Sequence, residues 1–595
     1  MSLRTPLRPL ARILKARQKG ENPDTIEREN IRLRHEEMHD RSRLRSEGRL
    51  LVLGVFFIAA FAIVGVRMGV LARSEPAEPH ASGPRNAIMA QRADIVDRNG
   101  RILATNLQTY ALYAQPPAMI DPERVAAELV KVFPDLEADE LTALFTGKRK
   151  FVWIKKRISP EQMQLVHDIG DPGLEFGPRE MRLYPNGRLA AHILGGARFG
   201  REGVNSAEVV GVAGVEKQFD DALRDPANNG AALQLSIDLS VQASMREVLY
   251  GGMKLMNARG AAAVLMDVKT GEVLSMVSLP DFDPNTRPAP LIRGLASDSP
   301  LFNRAVQGLY ELGSVYKTFA MAQALDEGLV KPDTIIDIRG PLRMGGFSIR
   351  DFSNYGKELS ATDVLVKSSN IGIARISELF GGERQKAFLK TLGLIDPTSI
   401  ELIEASRIRP LLPENWGELS TMTIAYGHGI SGSPLQLASA YSSVVNGGTF
   451  VTPTLMKQTE VAPGPRVISE KTSKILTEML RQVVVRGTAS FGDVPGYAVG
   501  GKTGTADKAK EMGGGYYEDK VINSFASVFP AYDPQYVLVV TLDEPSENSG
   551  LKPRRTAGWT AVPIVAEMIR RTAPLLGLRP EVEPEGRDEV LLTSN

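Results

Sequence analysis

The sequence predicts an α/β protein in which helices cover an antiparallel sheet, preceded by a smaller folded module and one membrane-spanning helix. Two pairs of apolar strands, at 261–266 with 273–277 and at 522–529 with 536–542, bracket a mostly helical stretch. That order favours one antiparallel sheet with helices packed on it. Residues 50–66 form an uncharged apolar run, which is typical of a helix that crosses a bilayer.

The composition of the 595 residues is that of an ordinary globular protein, with 43% hydrophobic and 24% charged residues. Lysine plus arginine (71) nearly cancels aspartate plus glutamate (70), so the overall charge does not favour nucleic acid as a partner. The chain has no cysteine, which excludes disulfides and a thiolate nucleophile. Its histidines are interpreted as structural, and neither a metal ion nor a cofactor is expected.

The apolar run of residues 50–66 continues to residue 72, which gives the length that a helix rising about 1.5 Å per residue needs to cross a bilayer. A buried core helix is the alternative. Four arginines, at positions 41, 43, 45 and 49, crowd the N-terminal side and place the N-terminus in the cytoplasm. The run is long, starts late and lacks a clear cleavage site, so we expect an uncleaved anchor at 50–72.

We interpret residues 1–49, before the anchor, as a basic cytoplasmic tail. Five basic residues between Arg4 and Lys19 recur at helical spacing opposite three leucines, a pattern that could lay an amphipathic helix on anionic lipid. Pro6 and Pro9 weaken that interpretation, because proline interrupts helices. A solvated, largely disordered tail is therefore expected.

Behind the anchor, residues 75–84 have the composition of a linker. Two apolar stretches around Asn99-Gly100 then predict a β-hairpin, and charged amphipathic helices follow. Because residues 73–230 carry no reactive constellation, we interpret them as a pedestal. Residues 231–575 form the domain that carries the motifs below, and the polar residues 576–595 are expected to be a disordered tail.

The pattern Ser-x-x-Lys occurs at Ser314–Lys317 and at Ser549–Lys552, and it is too short to be specific by itself. Ser549 lies in a Pro- and Gly-rich segment where nothing fixes the lysine against the serine. Ser314 instead opens a helix that is apolar on nearly every face and ends at Gly328. We therefore expect this helix, and Lys317 with it, to be buried.

The spacing of Ser314 and Lys317 suits acyl transfer. Positions i and i+3 share a helix face, so the lysine amine can reach the serine hydroxyl and take its proton. Free lysine is protonated at neutral pH, but burial and a neighbouring cation each lower its pKa. Backbone N–H groups at the helix start can stabilise the oxyanion that forms when Ser314 attacks a carbonyl, and Gly313 leaves room for a substrate.

A second motif, Ser368-x-Asn370, lies between a helix capped by Ser360 and another that runs from Ile371 toward two glycines. The Ser368 hydroxyl could relay a proton between lysine and leaving group, and the Asn370 amide could orient both lysine and substrate. A second Ser-x-Asn, at 546–548, is interpreted as turn residues.

The third motif reads Lys-Thr-Gly-Thr at residues 502–505 and follows glycines that would let a ligand lie against the backbone. Lys502 can supply the cation that lowers the pKa of the base, and the threonine hydroxyls can bind a substrate's terminal carboxylate. Another Lys-Thr-Gly, at 269–271, is interpreted as a hairpin turn. The glycines of 427–432 match a dinucleotide fingerprint, but no strand precedes them and that segment is interpreted as structural.

Taken in order, the three motifs resemble the signatures of penicillin-binding proteins and serine β-lactamases. Residues 260–285, 310–314 and 427–448 resemble class B penicillin-binding proteins, and residues 92–100 and 211–216 resemble that class's N-terminal dimerisation module. Leu312 stands where the family usually has proline, and Ala93 where it usually has glycine. Neither position carries chemistry.

The resemblance implies a serine β-lactamase-like transpeptidase domain with an antiparallel five-stranded sheet covered by helices, preceded by an elongated α+β pedestal and one N-terminal transmembrane helix. It also implies that the backbone N–H groups of the nucleophile and of the last threonine in the third motif hold the oxyanion. The implied catalytic residues are Ser314, Lys317, Ser368, Asn370 and Lys502, and the implied substrate-binding residues are Thr503, Gly504 and Thr505.

The function implied is that of a peptidoglycan D,D-transpeptidase that cross-links stem peptides through a Ser314 acyl-enzyme, from a D-Ala–D-Ala donor and an amine acceptor, and is acylated by β-lactams. Its place would be the bacterial inner membrane, with the catalytic domain in the periplasm and a polytopic glycan polymerase and other division-machinery proteins as partners. Ser368 to Gly372 (SSNIG) resembles division-specific members, so septal synthesis is expected. The alternatives are an elongation-specific transpeptidase, a D,D-carboxypeptidase, a β-lactamase and a division-complex scaffold without activity.

Overall fold

The computed structural model describes residues 8–73, 92–202, 207–344, 346–406, 408–510 and 514–581. The chain divides into two compact units, Met1–Pro79 and His80–Asn595. Each unit is described by itself below.

The described residues of the N-terminal unit form two helices, α1 (Arg8–Gln18) and α2 (Pro23–Arg73). Within α2, Leu51–Gly69 is a 19-residue span with a mean hydropathy of 2.4, and none of it is buried against other residues. This span is therefore long and apolar enough to cross a membrane, whereas a core helix would be covered. The side chains of the four arginines before it lie outside the described residues.

The tail before the span was expected to be largely irregular, and that expectation is wrong for the described residues, which are helical from Arg8 onward apart from a short break. Pro9 is the second residue of α1, in the first turn, where no intrahelical acceptor awaits its missing N–H group. Pro9 therefore lies in the first turn of α1, where it does not interrupt the helix.

The second unit begins with the pedestal. The β-hairpin predicted around Asn99-Gly100 is confirmed. Its Asp97–Arg101 turn has a positive φ of 81° at Gly100. The strands are β1 (Ile95–Val96), β2 (Ile102–Ala114), β3 (Val152–Ile158), β4 (Leu174–Leu183), β5 (Gly196–Glu202), β6 (Ala207–Ala213) and β7 (Leu233–Gln234). The helices are α3 (Pro122–Val132), α4 (Ala138–Phe145), α5 (Pro160–His167), α6 (Ala191–Leu194), α7 (Gly214–Gln218) and α8 (Asp220–Arg224).

Two sheets organise the pedestal. One has the order β3-β2-β1-β7 with β4 also paired to β2, and the other is the β5-β6 hairpin. Leu112 of β2 packs with Leu129 of α3 and Phe145 of α4 in a hydrophobic cluster separate from the main core. Strand β7 pairs in parallel with β1, although it follows the boundary predicted at residue 230. The pedestal is thus tied by backbone hydrogen bonds to the start of the next domain.

The second domain supplies the remaining elements. Its helices are α9 (Leu239–Leu255), α10 (Lys317–Asp326), α11 (Ala361–Val366), α12 (Asn370–Thr391, broken at Gly381), α13 (Glu418–Ala425), α14 (Pro434–Val445), α15 (Glu470–Arg486) and α16 (Ala561–Thr572). Its strands are β8 (Gly260–Asp267), β9 (Val273–Leu279), β10 (Ile335–Asp337), β11 (Leu342–Met344), β12 (Phe347–Ile349), β13 (Glu358–Ser360), β14 (Gly500–Ala509), β15 (Tyr516–Phe529) and β16 (Tyr536–Asp543).

The central sheet has the order β14-β15-β16-β8-β9 and is antiparallel throughout, which confirms the predicted five-stranded architecture. Every residue of β9, and all but one each of β8 and β16, is buried. Successive side chains of a strand point to opposite faces, so both faces of the sheet must be covered. Helices α9 and α16 pack side by side on the sheet, while α10 packs with α12 and α15.

The C-terminal residues were expected to be disordered from residue 576. Leu576 and Leu578 nevertheless pack against the main hydrophobic core, and Glu581 donates a backbone hydrogen bond to the carbonyl of Gly496. The rest of the predicted tail, residues 582–595, lies outside the described residues.

Candidate active site

The three predicted motifs meet at one cleft of about 640 Å³. Ser314, Ser368, Asn370, Thr503 and Thr505 line this cleft. The remaining predicted site residues, Lys317, Lys502 and Gly504, are buried beneath its surface. The structure therefore brings together every residue that the sequence singled out.

Ser314 lies in a 3₁₀ turn, Gly313–Tyr316, that leads directly into α10. Strand β14 runs against this turn: a Cβ at Gly504 would lie 2.1 Å from the carbonyl oxygen of Leu312, and one at Gly313 would lie 2.8 Å from that of Thr505. We expected Gly313 to leave room for a substrate and the glycines before Lys502 to let a ligand lie against the backbone. In the structure Gly313 and Gly504 instead permit close contact between β14 and the turn that carries the serine.

Lys317 is fully buried, as predicted, and its amine is held by the second motif. Its Nζ donates hydrogen bonds to the carbonyl oxygen of Ser368 at 2.5 Å, to Ser368 Oγ at 3.1 Å and to Asn370 Oδ1 at 2.7 Å. Among the described residues, no hydrogen bond joins this amine to Ser314. The direct contact inferred from the i, i+3 spacing is therefore not made, and the amine hydrogen-bonds to Ser368 and Asn370 instead.

Lys502 approaches Ser368 from the sheet. Its Nζ donates to Ser368 Oγ at 2.9 Å and to the carbonyl oxygen of Thr503 at 3.1 Å. One hydroxyl oxygen thus lies within hydrogen-bonding distance of both buried lysine amines, and it accepts from a protonated amine but can donate its O–H to a neutral one.

Both lysines have lowered pKa values. Burial lowers the pKa of Lys317 well below its ordinary value and the nearby Lys502 ammonium lowers it further, while Asp351 acts in the opposite direction. Burial lowers the pKa of Lys502 to about 7. Desolvation and a like charge both disfavour an ammonium group, so Lys317 can be neutral and act as a base near neutral pH.

Asp351 organises the second motif and was missed by the sequence reasoning. Its carboxylate accepts a hydrogen bond from Ser369 Oγ at 2.8 Å, and from the backbone N–H groups of Asn370 at 2.6 Å and Ile371 at 3.0 Å. These N–H groups begin α12, where they have no acceptor within the helix. Asp351 follows the short strand β12, and only the tertiary fold brings it to Asn370.

Ser368 itself has a left-handed backbone conformation, with φ of 61°. A non-glycine residue in this region costs free energy and persists where the surroundings hold it. Here the Lys317 amine binds the Ser368 carbonyl, and the Ser369 hydroxyl caps α12 through the backbone N–H of Gly372. The strain places Ser368 Oγ between the two lysines.

The threonines of the third motif are held on the other side of the cleft. Thr503 Oγ1 shares a 2.7 Å hydrogen bond with Thr488 Oγ1, and Thr505 Oγ1 accepts one from the backbone N–H of Ala557 at 3.0 Å. Phe491 and Trp559 form an aromatic pair at the same side, with ring centroids 5.0 Å apart. Hydroxyl donors next to apolar rings suit a ligand with both a carboxylate and an apolar part.

The second copies of the three motifs lie outside the cleft. Ser549 and Lys552 are exposed in the irregular segment after β16, and the 546–548 segment forms local turn bonds such as that from Ser546 Oγ to Asn548 Oδ1. Lys269-Thr270-Gly271 is the turn between β8 and β9, with two backbone N–H groups donating to Asp267. Those interpretations are confirmed.

One histidine-containing segment that was interpreted as structural lines the cleft. The segment 427–432 was interpreted as structural, but Gly427 and His428 line the cleft with Ser314. The expectation that no two histidines stand in a His-x-x-x-His pattern is wrong for His35 and His39, whose side chains lie outside the described residues. Within the part of the chain that is described, no group of three or more His, Asp or Glu side chains could hold a metal ion.

Comparison with protein families gives two matches. Residues 261–566 match the penicillin-binding protein transpeptidase domain, and residues 87–229 match the penicillin-binding protein dimerisation domain. The first match contains the whole cleft.

Relatives match along most of the chain. A probable peptidoglycan D,D-transpeptidase FtsI of Caulobacter vibrioides is 35% identical over 570 residues, which cover 93% of each chain. A probable peptidoglycan D,D-transpeptidase PenA of Neisseria gonorrhoeae is 30% identical and covers 83% of this chain and 86% of its own. Among solved structures, penicillin-binding protein 3 of Mycobacterium tuberculosis, complexed with aztreonam, is 26% identical with a TM-score of 0.63, over 83% of this chain and 97% of its own.

Proposed function

The chain belongs to the penicillin-binding protein family, and we propose that it is a peptidoglycan D,D-transpeptidase whose nucleophile is Ser314. The observation that carries the proposal is the pair of buried lysine amines on Ser368 Oγ, in a cleft that Ser314 lines. A neutral amine and a hydroxyl relay next to a serine are the parts needed to activate it as a nucleophile.

Acylation begins when neutral Lys317 takes the proton of Ser314, directly or through the Ser368 hydroxyl. Ser314 Oγ then attacks the penultimate D-Ala carbonyl of a stem peptide, and the terminal D-Ala leaves with a proton returned along the same path. Asn370 supports this step because its Oδ1 accepts a hydrogen bond from the Lys317 amine while its Nδ2 donates to the carbonyl of Arg350. The side chain is thereby fixed in orientation.

Two further sets of donors would hold the donor peptide. The backbone N–H groups of Ser314 and Thr505 form the oxyanion hole, supported by the close packing of β14 against the serine turn. The hydroxyls of Thr503 and Thr505, with the positive charge of Lys502 behind them, bind the terminal carboxylate. β-Lactams, which carry a carboxylate near a strained amide, acylate the same serine.

Within the described residues the chain has one candidate membrane span, in α2, which fits a single-pass membrane protein. We assign the span to the bacterial inner membrane with the N-terminus in the cytoplasm and the catalytic domain in the periplasm, in line with the arginines before the span. Residues 73–230 serve as the pedestal and residues 231–575 as the transpeptidase domain. The partners are a polytopic glycan polymerase and other division-machinery proteins.

Septal synthesis is the pathway best supported, because relatives named FtsI match most of the chain and Asn370 resembles the division-specific motif. Depletion in the native bacterium separates the pathways: filaments with blocked septa are expected. Round cells would instead indicate an elongation-specific enzyme.

The reaction is tested with the full-length protein, an acylated D-Ala–D-Ala donor and an amine acceptor. A transpeptidase releases D-Ala and forms a new amide between donor and acceptor. Release of D-Ala without the amide would indicate a D,D-carboxypeptidase, rapid turnover of penicillin a β-lactamase, and no reaction a division-complex scaffold.

A further inference from the structure

One edge of the cleft carries a carboxylate and an imidazole in direct contact. His428 Nδ1 lies 3.0 Å from Glu311 Oε2. The other oxygen of Glu311 accepts hydrogen bonds from the backbone N–H of Gly429 at 3.0 Å and from the Tyr516 hydroxyl at 2.9 Å. The carboxylate is therefore held by two donors on one oxygen, and its other oxygen lies at ion-pair distance from the imidazole.

The imidazole of His428 is oriented by its neighbours as well. Its ring stacks on Tyr516 with centroids 4.8 Å apart and, at 6.3 Å, on Tyr426, each with an interplanar angle of 27°. Nδ1 is engaged by Glu311, whereas Nε2 forms no hydrogen bond with any residue that the structure describes. The side chain is 38% exposed and lines the same cleft as Ser314, so a free ring nitrogen is accessible there.

Backbone contact fixes the position of His428 relative to the nucleophile. A Cβ at Gly427 would lie 2.1 Å from the carbonyl oxygen of Gly313, so these two glycines touch. Ser314 and His428 are the next residues after the touching pair. Both are therefore held by the same close approach of two backbone segments.

Charge is unevenly distributed across the cleft. Lys317, Lys502 and the cleft-lining Lys367 lie on the side of Ser368. His428 faces Glu311, Asp507 of β14 and the phenols of Tyr426 and Tyr516. Its pKa is raised by the hydrogen bond to Glu311 and by the charge of Asp507, against the opposing effect of burial. The lysine side suits a donor carboxylate, and the acidic side suits an incoming ammonium.

We propose that His428 is the general base that deprotonates the acceptor amine in the second half of the reaction, with Glu311 as its positioning residue. This inference rests on the proposed function, since it needs the Ser314 acyl-enzyme. Nε2 takes one proton from the acceptor ammonium, and the freed nitrogen lone pair forms the C–N bond at the ester carbon. The C–O bond to Ser314 then breaks, and the second amine proton passes to Ser314 Oγ, which leaves an amide, a free serine and a protonated His428.

The test compares the two half-reactions in full-length His428→Gln, with His167→Gln as the matched control because His167 is exposed on α5. Acylation is followed with a fluorescent penicillin, which requires no acceptor. Aminolysis is followed as the ratio of amide to hydrolysis product from an acyl-D-alanine thioester with D-alanine as acceptor. Aminolysis in His428→Gln should fall at least about tenfold more than acylation, as expected for loss of a general base.

Equal falls in acylation and aminolysis, or an unchanged ratio of amide to hydrolysis product, would overturn the inference. Failure of the wild-type protein to be acylated would overturn the proposed function instead. A second variant, Glu311→Gln, keeps an acceptor oxygen for Gly429 and Tyr516 but removes the negative charge. The aminolysis rate should rise with pH as His428 becomes neutral, and Glu311→Gln should move the midpoint of that rise to lower pH. A purely structural contact would change the rate without moving the midpoint.

Discussion

Lys502 donates a 2.9 Å hydrogen bond to Ser368 Oγ, the same oxygen that the Lys317 amine reaches at 3.1 Å. Two ammonium groups on one oxygen, both desolvated, would repel each other strongly. Burial lowers the pKa of Lys317, and the charge of Lys502, a residue from another motif, lowers it further. The coupling between Lys317 and Lys502 makes the protonation of the cleft a testable property.

Acylation should depend on pH with two limbs. Only neutral Lys317 can take the Ser314 proton, and its lowered pKa places the rising limb well below the ordinary lysine value. Lys502 loses its positive charge as the pH rises through about 7, and carboxylate binding weakens there. We expect a bell-shaped profile for the second-order rate of penicillin acylation, measured by stopped-flow fluorescence. A rate that rises steadily to pH 10 would contradict this assignment.

Replacing Lys502 separates its two effects. Lys502→Ala removes the cation that lowers the pKa of Lys317, so the rising limb should move to higher pH and acylation at neutral pH should fall by about 10²-fold or more. Lys502→Arg keeps a charge at every accessible pH and should lose the falling limb. The pH profiles of both variants, measured as above, check this. An unshifted rising limb in Lys502→Ala would show that the two lysines are not coupled.

Asp351 should be required to position Asn370. Asp351→Ala removes three hydrogen bonds from the start of α12, at a cost of about 1–2 kcal/mol in unfolding free energy. It should also slow acylation, because the backbone that carries Asn370, whose side chain holds Lys317, loses these hydrogen bonds. Denaturant unfolding and penicillin acylation measure the two effects. Asp337→Ala is the matched control, since its ion pair with Arg339 is exposed and contributes little.

Gly504 should tolerate no side chain. A Cβ there meets the Leu312 carbonyl oxygen at 2.1 Å, so Gly504→Ala must push β14 away from the turn that carries Ser314. Overpacking of this kind costs about 1–3 kcal/mol. Acylation should be lost along with stability. Gly251→Ala in α9 meets nothing within 4 Å and should instead stabilise slightly. Normal acylation by Gly504→Ala would disprove the close-packing role of this glycine.

The sequence predicted the parts of the site that depend on local pattern. The apolar helix after Ser314 correctly predicted the burial of Lys317, and the strand pairs correctly predicted the antiparallel sheet. Tertiary contacts could not be read in the same way: Asp351 reaches Asn370 from 19 residues earlier, and Glu311 reaches His428 across 117 residues. The role of the glycines was misjudged because a ligand and a neighbouring strand require the same absence of a side chain.

The central claim is tested most directly by labelling the full-length protein with a fluorescent penicillin, beside Ser314→Ala and Ser549→Ala. Ser549 belongs to the second Ser-x-x-Lys pattern but lies outside the cleft, so it is a matched control. The wild-type protein and Ser549→Ala should carry a stable covalent label, and Ser314→Ala should carry none. Labelling that survives in Ser314→Ala would contradict the assignment of Ser314 as the nucleophile.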